Sequence, residues 1–212
     1  MAIEESQFQK AIHIIQRGGL VIAPTETFYG ILGNAWSRNA VKRLIQLKGR
    51  DFGQPIPLIA PNVSMVREAA MDLPPLFKPV AKRFWPGPLT VVLKAAKGFP
   101  RGITAGTESI GIRIPGPSPA LDLARFYNGH LTATSANFRE QPAPRGVQEL
   151  DPELSAQVDL VVDGGWTPGG LPSTVLNLTT TPPVILRRGV LGEEVEEFLE
   201  KTMKRKIGRR KD

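Results

Sequence analysis

The sequence predicts an α/β protein in which helices pack on a mixed, twisted sheet. Helical and strand patterns alternate along the first half of the chain, and short apolar strand patterns cluster in the second half. The 20 prolines and 21 glycines stand between these patterns instead of forming one low-complexity block. Elements in this order bury their apolar faces by packing helices against a sheet. With 212 residues, the chain has the length of one domain. We expect that domain over residues 1–200 and a flexible basic tail over residues 201–212.

Apolar spacing and end signals predict the elements of the first third. Apolar residues recur at helical spacing over residues 8–17, and a glycine pair ends this pattern. Residues 19–24 form an apolar run of strand length that ends at a proline, which cannot donate to a central ladder. Ser37 is a suitable N-cap for a second helix, whose apolar residues recur over residues 40–47. This part of the chain therefore has the order helix, strand, helix.

The same signals predict the remaining elements. Prolines and glycines bound each pattern, and its spacing separates helices from buried strands. We expect helices over residues 63–70, 75–84, 119–127 and 193–201, and strands over residues 57–60, 89–93, 109–114, 131–134, 158–162, 173–178 and 184–186. Residues 138–146 and 163–172 are rich in proline and glycine, so we expect mobile loops there.

The composition excludes several kinds of chemistry. The chain has no cysteine, which excludes disulfides, a thiolate nucleophile and a cysteine-based zinc site. Its two histidines, His13 and His130, lie far apart, so a histidine-based metal site or triad is not expected. No apolar run reaches the about 20 residues that span a bilayer, and the first residues are too polar for a signal peptide. We expect a cytoplasmic protein without a membrane partner.

The positive charge is concentrated at the C-terminus. Residues 201–212 carry a net charge of +6 out of +7 for the whole chain, which leaves the rest of the chain near neutrality. A basic tail of this kind contacts nucleic acid in some proteins and is only a solvated end in others. Both interpretations remain open, and the first includes contacts with tRNA or double-stranded RNA.

Four cations at the ends of predicted elements are candidates for binding an anionic ligand. Lys48 and Arg50 lie on either side of a glycine after a helix, whereas Arg113 and Arg187 end strands. An arginine offers a planar fork to phosphate or carboxylate, and a lysine offers a point charge. Lys48 and Arg50 also suit an exposed helix C-terminus, which favours cations. No Walker or dinucleotide glycine loop is present, so these motifs do not indicate a nucleotide.

Arg113 is further distinguished by its place in an alternating strand pattern. Side chains alternate between the two faces of a strand, so Arg113 faces away from Ile112 and Ile114. The isoleucines suit a core. A cation on the opposite face needs a counterion or an anionic ligand.

Three turns complete the set of candidate positions. Ser135, Ala136 and Asn137 follow a strand and are suited to binding phosphate or carboxylate oxygens, although an ordinary turn has the same composition. Ser173 opens another strand pattern and has the same ambiguity. We interpret the turn at residues 85–90 as structural, with its tryptophan packed.

Seven motifs, taken together and in order, resemble one known family. They are Pro24-Thr25-Glu26-Thr27-Phe28-Tyr29-Gly30, Lys48-Gly49-Arg50, Trp85-Pro86-Gly87-Pro88-Leu89-Thr90, Arg113-Ile114-Pro115, Ser135-Ala136-Asn137, Pro172-Ser173-Thr174-Val175 and Arg187-Arg188-Gly189. In this order they resemble the YrdC-like threonylcarbamoyl-AMP synthase family, in its single-domain form, over most of the chain. The resemblance implies an α/β fold with an open, twisted mixed sheet and flanking helices around a concave, basic cavity.

The resemblance also implies a reaction. The family joins L-threonine, bicarbonate and ATP into threonylcarbamoyl-adenylate and releases pyrophosphate, which makes its members nucleotidyltransferases. The product serves tRNA modification, because a separate transferase moves the threonylcarbamoyl group to the adenosine beside the anticodon. Mg²⁺ is expected to arrive bound to ATP, since no carboxylate cage is evident in the sequence.

The matched positions imply roles for particular residues. Lys48 and Arg50 are expected to be catalytic and to bind the ATP phosphates and the forming carboxy group. Threonine binding is implied for Thr27, Arg113, Ala133 and Ser173. Nucleotide binding is implied for Lys48, Arg50, Gln54, Ser109, Ser135, Asn137, Ala143 and Arg187. The implied reaction needs no protein nucleophile, so positioning and charge neutralisation carry most of its rate.

Three departures from the family pattern leave other functions open. Ile59 stands where many members have a histidine near threonine, Phe138-Arg139-Glu140 replaces a common Ser-Gly, and Asn177 replaces a common aspartate. These differences are compatible with a paralogue of altered substrate, such as one that forms carbamoyl-adenylate from carbamoyl phosphate. A different class, an RNA-binding or ribosome-maturation factor, uses the same cavity and tail to bind a phosphate backbone without ATP.

Overall fold

The computed structural model describes residues 5–49 and 53–208, without the side chains of residues 203 and 205–208. Over this range the chain forms eight α-helices and ten β-strands. The helices are α1 (Glu5–Gln16), α2 (Arg38–Leu47), α3 (Val63–Ala69), α4 (Phe77–Phe84), α5 (Arg101–Thr104), α6 (Pro119–Tyr127), α7 (Pro152–Ala156) and α8 (Gly192–Gly208). The strands are β1 (Val21–Pro24), β2 (Tyr29–Leu32), β3 (Leu58–Ile59), β4 (Leu89–Lys94), β5 (Ser109–Arg113), β6 (Leu131–Thr132), β7 (Thr134–Ser135), β8 (Leu160–Val161), β9 (Thr174–Asn177) and β10 (Val184–Arg187). Every helix in this part of the chain is too short or too polar to cross a membrane.

The strands divide into two mixed sheets. A four-stranded sheet has the order β7-β2-β1-β8, and a six-stranded sheet has the order β10-β9-β4-β5-β3-β6. In the larger sheet β4 pairs antiparallel with β5 and parallel with β9, and β3 pairs parallel with β5. In the smaller sheet β1 pairs antiparallel with β2 and parallel with β8. The predicted α/β class with mixed strand directions is confirmed, although the strands form two sheets where the pattern predicts one.

Side-chain caps fix where several helices begin. The Ser37 hydroxyl accepts a hydrogen bond from the Ala40 amide at 3.2 Å, as predicted for the start of α2. The Asn62 side chain caps α3 in the same way through the Met65 amide at 2.9 Å. Each cap satisfies an amide that the first helical turn leaves unpaired and contributes about 1 kcal/mol. The starts of these helices are therefore set by local sequence.

Several elements differ from the sequence-based expectation. β2 pairs with β1 through a turn at residues 25–28, within a stretch for which no strand is predicted. α5 and α7 are short helices between predicted elements, and α7 begins where the Asp151 carboxylate accepts from two backbone amides. α8 continues to Gly208 instead of ending at residue 201, so it extends into the predicted tail. Residues 209–212 of that tail lie outside the described residues.

Two apolar clusters hold the layers together. The larger cluster joins helices α2, α4 and α8 to the six-stranded sheet, where Val91, Ile112 and Leu176 are fully buried. The smaller cluster packs α1 and α6 against β1, with Ile15 and Leu123 fully buried between them. Burial of a large aliphatic side chain contributes about 1.5–3 kcal/mol, so the clusters supply a major part of the folding free energy.

Candidate active site

A cavity of about 480 Å³ opens on the face of the six-stranded sheet opposite the larger core cluster. Its floor consists of alternate residues from neighbouring strands: Thr90 and Val92 of β4, Gly111 and Arg113 of β5, and Val175 of β9. Alternate residues of a strand share one face, so the same alternation sends the core residues to the other side. Further lining residues come from loops and from the smaller sheet, among them Thr25, Thr27, Tyr29, Gln54, Thr107, Ser109, Ala133, Thr134, Ser135, Ala143, Ser173 and Arg187.

The turn between β1 and β2 is held by the hydroxyl of Thr25. This hydroxyl donates to the Phe28 carbonyl at 2.8 Å and accepts from the Thr27 and Phe28 amides at 3.2 and 3.3 Å. The Thr27 hydroxyl lies 3.1 Å from the same oxygen. Hydrogen bonds from a side chain to the local backbone stabilise turns of this kind. The turn therefore presents Thr25 and Thr27 to the cavity, while Glu26 between them contacts Arg113.

Arg113 is a buried cation with an internal counterion. Its side chain is 10% exposed, and its Nη1 donates to Glu26 Oε1 at 3.0 Å. Burial lowers the pKa of the Arg113 guanidinium below its ordinary value, and the negative charge of Glu26 opposes that shift. The second oxygen of Glu26 is buried and has no hydrogen-bond partner within the described residues. One guanidinium nitrogen is thus held by the protein, and an arginine has two further nitrogens to offer a ligand.

A second arginine is fixed to Ser173. Arg187 Nε donates to the Ser173 carbonyl at 3.0 Å, and Arg187 Nη2 donates to the Ser173 hydroxyl at 3.1 Å. Burial lowers the pKa of Arg187, and the positive charge of Arg113 lowers it further. Both arginines line the same cavity. An anion bound there relieves the repulsion between them, so the cavity is suited to an anionic ligand.

Lys48 holds the turn at residues 135–137 from outside the cavity. Its ammonium donates to the Ser135 carbonyl at 2.9 Å and to Asn137 Oδ1 at 3.1 Å, with a further bond to the Asn137 carbonyl. The Ser135 hydroxyl donates to the same Asn137 Oδ1 at 2.6 Å. Hydrogen bonds from a charged donor are stronger than neutral ones. In this structure Lys48 therefore orients the turn that brings Ser135 to the cavity wall.

Comparison with known proteins decides the family. Residues 13–189 match the sequence model of the Sua5/YciO/YrdC family, which carries the description Telomere recombination. The chain belongs to the Sua5/YciO/YrdC family. The threonylcarbamoyl-AMP synthase of Pyrococcus abyssi is 38% identical to it over 198 residues, which cover 93% of this chain and 58% of the relative. The threonylcarbamoyl-AMP synthase of Thiobacillus denitrificans is 33% identical over 173 residues, which cover 81% of this chain and 92% of the relative. The chain thus spans less than two thirds of the Pyrococcus abyssi relative and most of the Thiobacillus denitrificans one.

A solved structure from the Sua5/YciO/YrdC family has the same fold. The structure of Pyrococcus abyssi Sua5 complexed with L-threonine aligns with a TM-score of 0.87 at 36% identity. The alignment covers 94% of this chain and 58% of that chain. The fold implied by the seven motifs is therefore confirmed.

The cavity of this Sua5/YciO/YrdC chain brings together most of the residues predicted for the site. Nine of them line it: Thr27, Gln54, Ser109, Arg113, Ala133, Ser135, Ala143, Ser173 and Arg187. Lys48 and Asn137 contact each other beside Ser135 and are not among the described lining residues. Arg50 lies outside the described residues. The roles of these side chains toward particular ligands remain predictions.

The cavity also contains residues that the motifs do not single out. Thr90 ends the turn at residues 85–90, in which Trp85 Nε1 donates to the Leu89 carbonyl at 2.7 Å, as expected for a packed tryptophan. Thr90 itself lines the cavity. The signal that identifies it is alternation within β4, where it shares a face with Val92. Thr25 and Tyr29 also line the cavity, although the family resemblance implies a role only for Thr27 of their motif.

The two loops predicted to be mobile are joined to each other beside the cavity. The amide and the hydroxyl of Thr167 both donate to the Arg145 carbonyl, at 2.8 and 3.2 Å. The Tyr29 hydroxyl donates to the Gly165 carbonyl at 2.7 Å, which ties the second loop to β2. Burial raises the pKa of Tyr29, which keeps its hydroxyl protonated as a donor. Opening of either loop therefore breaks contacts with the other, and the mobility itself stays a prediction.

Two of the three departures from the family pattern, Ile59 and Asn177, have a clear local setting. Ile59 pairs with Arg113 in the register of β3 and β5 and is fully buried in the smaller core cluster. An isoleucine there fills space next to Arg113 and offers no hydrogen bond. Asn177 ends β9, where its side-chain oxygen accepts from the Thr179 amide at 2.9 Å, a turn role that an aspartate also fills. Within the described ranges, no three His, Cys, Asp or Glu side chains group together as metal ligands.

Proposed function

We propose that this protein is an L-threonylcarbamoyladenylate synthase, a nucleotidyltransferase that condenses L-threonine, bicarbonate and ATP and releases pyrophosphate. The observation that carries this proposal is Arg113, a buried cation that lines a hydroxyl-rich cavity and keeps guanidinium nitrogens available beyond its bond to Glu26. The family assignment and the solved structure of a relative complexed with L-threonine support it.

The threonine carboxylate is assigned to Arg113. A guanidinium binds a carboxylate through two parallel hydrogen bonds, which fix its orientation as well as its position. Thr27 and Ser173 line the same cavity and offer hydroxyl groups to the amine and the side-chain hydroxyl of threonine. Ala133, also assigned to threonine, lines the cavity wall, where its amide donates to the Pro57 carbonyl at 2.8 Å.

The ATP phosphates are assigned to Arg187, Lys48 and Arg50. Arg187 already lines the cavity, and Lys48 bonds to the turn that carries Ser135 and Asn137. Gln54, Ser109 and Ala143 line the part of the wall assigned to the nucleotide. Mg²⁺ enters as the MgATP complex, in which the metal is part of the substrate.

The reaction proceeds in two bond-forming steps. The threonine amine attacks the carbon of bicarbonate, and loss of water leaves a carbamate on the nitrogen. A carbamate oxygen then attacks the α-phosphorus of ATP, and the bond to the pyrophosphate leaving group breaks. Both steps develop negative charge on oxygen, which cations held in place before the reaction stabilise without reorganisation. The protein therefore contributes positioning and charge, and none of its side chains forms a covalent intermediate.

The product of this reaction is a mixed anhydride that needs an acceptor. We assign it to a separate transferase that moves the threonylcarbamoyl group to tRNA to form threonylcarbamoyladenosine. The basic residues of the C-terminal segment are the candidates for a contact with tRNA.

A substrate-omission assay tests this function. Purified protein is incubated with ATP, Mg²⁺, bicarbonate and L-threonine, and pyrophosphate release is measured against reactions that lack one component. We expect release only when all three substrates are present.

Arg113→Ala is expected to lower kcat/KM for L-threonine about a hundredfold, as for truncation of a desolvated charged contact. Arg101→Ala, at an exposed position on α5, is the matched control and is expected to behave as wild type. Pyrophosphate release that does not depend on L-threonine contradicts the proposal.

A further inference from the structure

We infer that Thr90 is a further positioning residue of this site and acts with Ser173 as one hydrogen-bonded unit that directs a hydroxyl proton to the threonine carboxylate. The inference rests on the proposed function, because it names the carboxylate of L-threonine as the acceptor. The roles implied by the family motifs include Ser173 but not Thr90.

Thr90 lies at the centre of the cavity floor. It belongs to β4, which lies between β5 and β9 in the six-stranded sheet. The β4–β5 register pairs Val91 with Ile112, and its continuation by one residue places Thr90 beside Arg113. Thr90 and Arg113 both line the cavity, and Thr90 is 5% exposed. The Thr90 hydroxyl therefore belongs to the same part of the floor as the guanidinium assigned to the substrate carboxylate.

Among the described residues, the Thr90 hydroxyl contacts one other side chain, that of Ser173, and Ser173 is itself held by Arg187. The two hydroxyl oxygens lie 3.0 Å apart in a buried contact. Arg187 Nη2 donates to the Ser173 hydroxyl at 3.1 Å, and Arg187 Nε donates to the Ser173 carbonyl at 3.0 Å. A guanidinium has donors and no acceptor, so the Ser173 oxygen must be the acceptor in its bond with Arg187. The bond from Arg187 Nη2 restricts rotation of the Ser173 hydroxyl, and the bond from Nε fixes the arginine to the Ser173 backbone.

Counting protons shows what the pair offers to a ligand. A hydroxyl has one proton and two lone pairs, and Arg187 occupies one lone pair of Ser173. If Ser173 donates to Thr90, the proton of Thr90 stays available. If Thr90 donates to Ser173, both lone pairs of Ser173 are occupied, and its own proton stays available. In either arrangement one proton of the pair remains for the cavity, where an anionic oxygen is its natural acceptor.

The position of Arg113 selects the acceptor among the substrate oxygens. Arg113 takes the carboxylate with its guanidinium, and a carboxylate has about four lone-pair sites, more than one arginine fills. The hydroxyl pair of Thr90, on β4, and Ser173, just before β9, donates to one of the remaining lone-pair sites of the carboxylate. Without the Thr90 hydroxyl, the Ser173 oxygen keeps its bond from Arg187 but has an empty lone pair, so its proton is no longer directed to one position. Without the Ser173 hydroxyl, Thr90 loses the side-chain contact that orients its own proton. The two hydroxyls therefore act as a unit.

The test compares Thr90→Val with a matched control in the same fold. Valine has the shape of threonine without the hydroxyl, and it keeps a methyl group near Gly111. Thr132→Val makes the same change at a position on β6 that is 1% exposed and whose hydroxyl donates to the Ile31 carbonyl at 3.4 Å, away from the cavity lining. Each variant is assayed for KM of L-threonine, KM of ATP, kcat and melting temperature.

We expect Thr90→Val to raise the KM of L-threonine about tenfold, as for loss of one hydrogen bond to a charged group, with KM of ATP within about twofold. Thr132→Val is expected to leave both KM values unchanged. Thr90→Ser restores the hydroxyl and is expected to return the KM of L-threonine to within about threefold of wild type. A merely structural role predicts instead that the melting temperature falls and that both KM values move together or not at all.

A double variant tests whether the two hydroxyls act as one unit. Independent residues have additive effects, whereas members of one network do not. Ser173→Ala alone is expected to raise the KM of L-threonine, and Thr90→Val combined with Ser173→Ala is expected to add less than about twofold to that rise. If the rise in the KM of L-threonine in the double variant equals the product of the two single rises, the two hydroxyls act independently and the inference of a unit is wrong.

The outcomes separate this inference from the proposed function. Absence of any L-threonine-dependent product from the wild-type protein overturns the proposed function and this inference with it. Product from wild type together with an unchanged KM of L-threonine in Thr90→Val overturns this inference alone. If Thr90→Val does not fold, Thr90→Ser against Thr90→Ala decides, because serine keeps the hydroxyl and alanine does not.

Discussion

The guanidinium of Arg113 and the carboxylate of Glu26 form an ion pair at 3.0 Å, with both side chains largely buried. Glu26 belongs to the β1–β2 turn, and Arg113 ends a strand of the other sheet. The stem of Glu26 packs against residue 116, where an added Cβ lies 3.2–3.3 Å from the Glu26 Cγ and Cβ atoms. A glycine at 116 thus leaves room for the carboxylate to reach Arg113. The ion pair links the two sheets at the site and fixes the orientation of the guanidinium.

Glu26→Ala is expected to weaken both the fold and threonine binding. Breaking a buried ion pair leaves a charge uncompensated, which lowers the free energy of unfolding by about 3 kcal/mol. The variant also loses the contact that fixes the orientation of the Arg113 guanidinium, so the KM of L-threonine is expected to rise about tenfold. Chemical denaturation and steady-state kinetics measure the two effects.

Two further variants show whether the effect is specific to the site. Glu26→Gln keeps a hydrogen-bond acceptor for Arg113 and is expected to hold the KM of L-threonine within about threefold of wild type. Asp159→Ala breaks another arginine–carboxylate pair, with Arg43 at 2.8 Å, away from the cavity lining. It is expected to lower stability and leave that KM unchanged. A tenfold rise in KM for Asp159→Ala as well contradicts a specific role for Glu26.

Lys48→Met is expected to disturb the ATP side of the site. Methionine keeps much of the stem but removes the ammonium that bonds to the Ser135 carbonyl and to Asn137. The turn then loses charge-assisted bonds worth about 1.5–3 kcal/mol each, and kcat/KM for ATP is expected to fall at least about tenfold. Lys42→Met, at an exposed position on α2, the helix that precedes Lys48, is the control. Equal kinetics for the two variants are the result that excludes this role for Lys48.

Asp159 is expected to contribute an acid-sensitive part of the stability. Burial by itself raises the pKa of Asp159, but hydrogen bonds from Arg43 and the Leu20 amide outweigh it, so the folded pKa lies below the ordinary 3.8. A lowered folded pKa means that the contribution is present above the unfolded pKa and is lost as the pH falls through the folded value. The melting temperature of wild type is therefore expected to fall more steeply than that of Asp159→Asn between about pH 5 and pH 2. Arg43→Leu removes the main partner and is expected to give the same shallower slope. Parallel slopes for all three proteins contradict this assignment.

Deletion of residues 203–212 is expected to leave synthesis within about twofold of wild type, since surface changes away from a site have small effects. Lys201 pairs with Glu197 at 2.9 Å, and the buried Val195 and Leu199 lie before the deleted segment. The measurement is pyrophosphate release at saturating substrates. A loss of synthesis in the shortened protein contradicts the placement of the site on the six-stranded sheet. Binding of tRNA by wild type and not by the deletion variant supports the RNA interpretation of the tail.

Local patterns predicted much of this molecule. Alternation around Arg113 predicted a cation facing away from a core, and the structure buries Ile112 and Ile114 on one side while Arg113 lines the cavity on the other. The N-cap at Ser37 followed from its chemistry alone. These features depend on a few neighbouring residues, so the sequence contains the information needed to predict them.

The missed features depend on contacts between distant parts of the chain. The Glu26 partner of Arg113 is 87 residues away, and the Thr90 partner of Ser173 is 83 residues away. No pattern of neighbouring residues in the sequence indicates either contact. β2 has four fully buried residues and carries no alternation that separates it from the preceding turn. The division into two sheets is likewise a property of strand pairing, which short apolar runs do not specify.

Identification of the product by mass spectrometry tests the proposed function most directly. The protein is incubated with MgATP, L-threonine and isotopically labelled bicarbonate, and the reaction is compared with one that contains Arg113→Ala. At limiting L-threonine, we predict that wild type forms threonylcarbamoyl-adenylate that carries the bicarbonate label and that the variant forms it about a hundredfold more slowly. Release of pyrophosphate without a labelled adenylate contradicts the proposed function, and a labelled adenylate formed equally well by Arg113→Ala contradicts the role of Arg113.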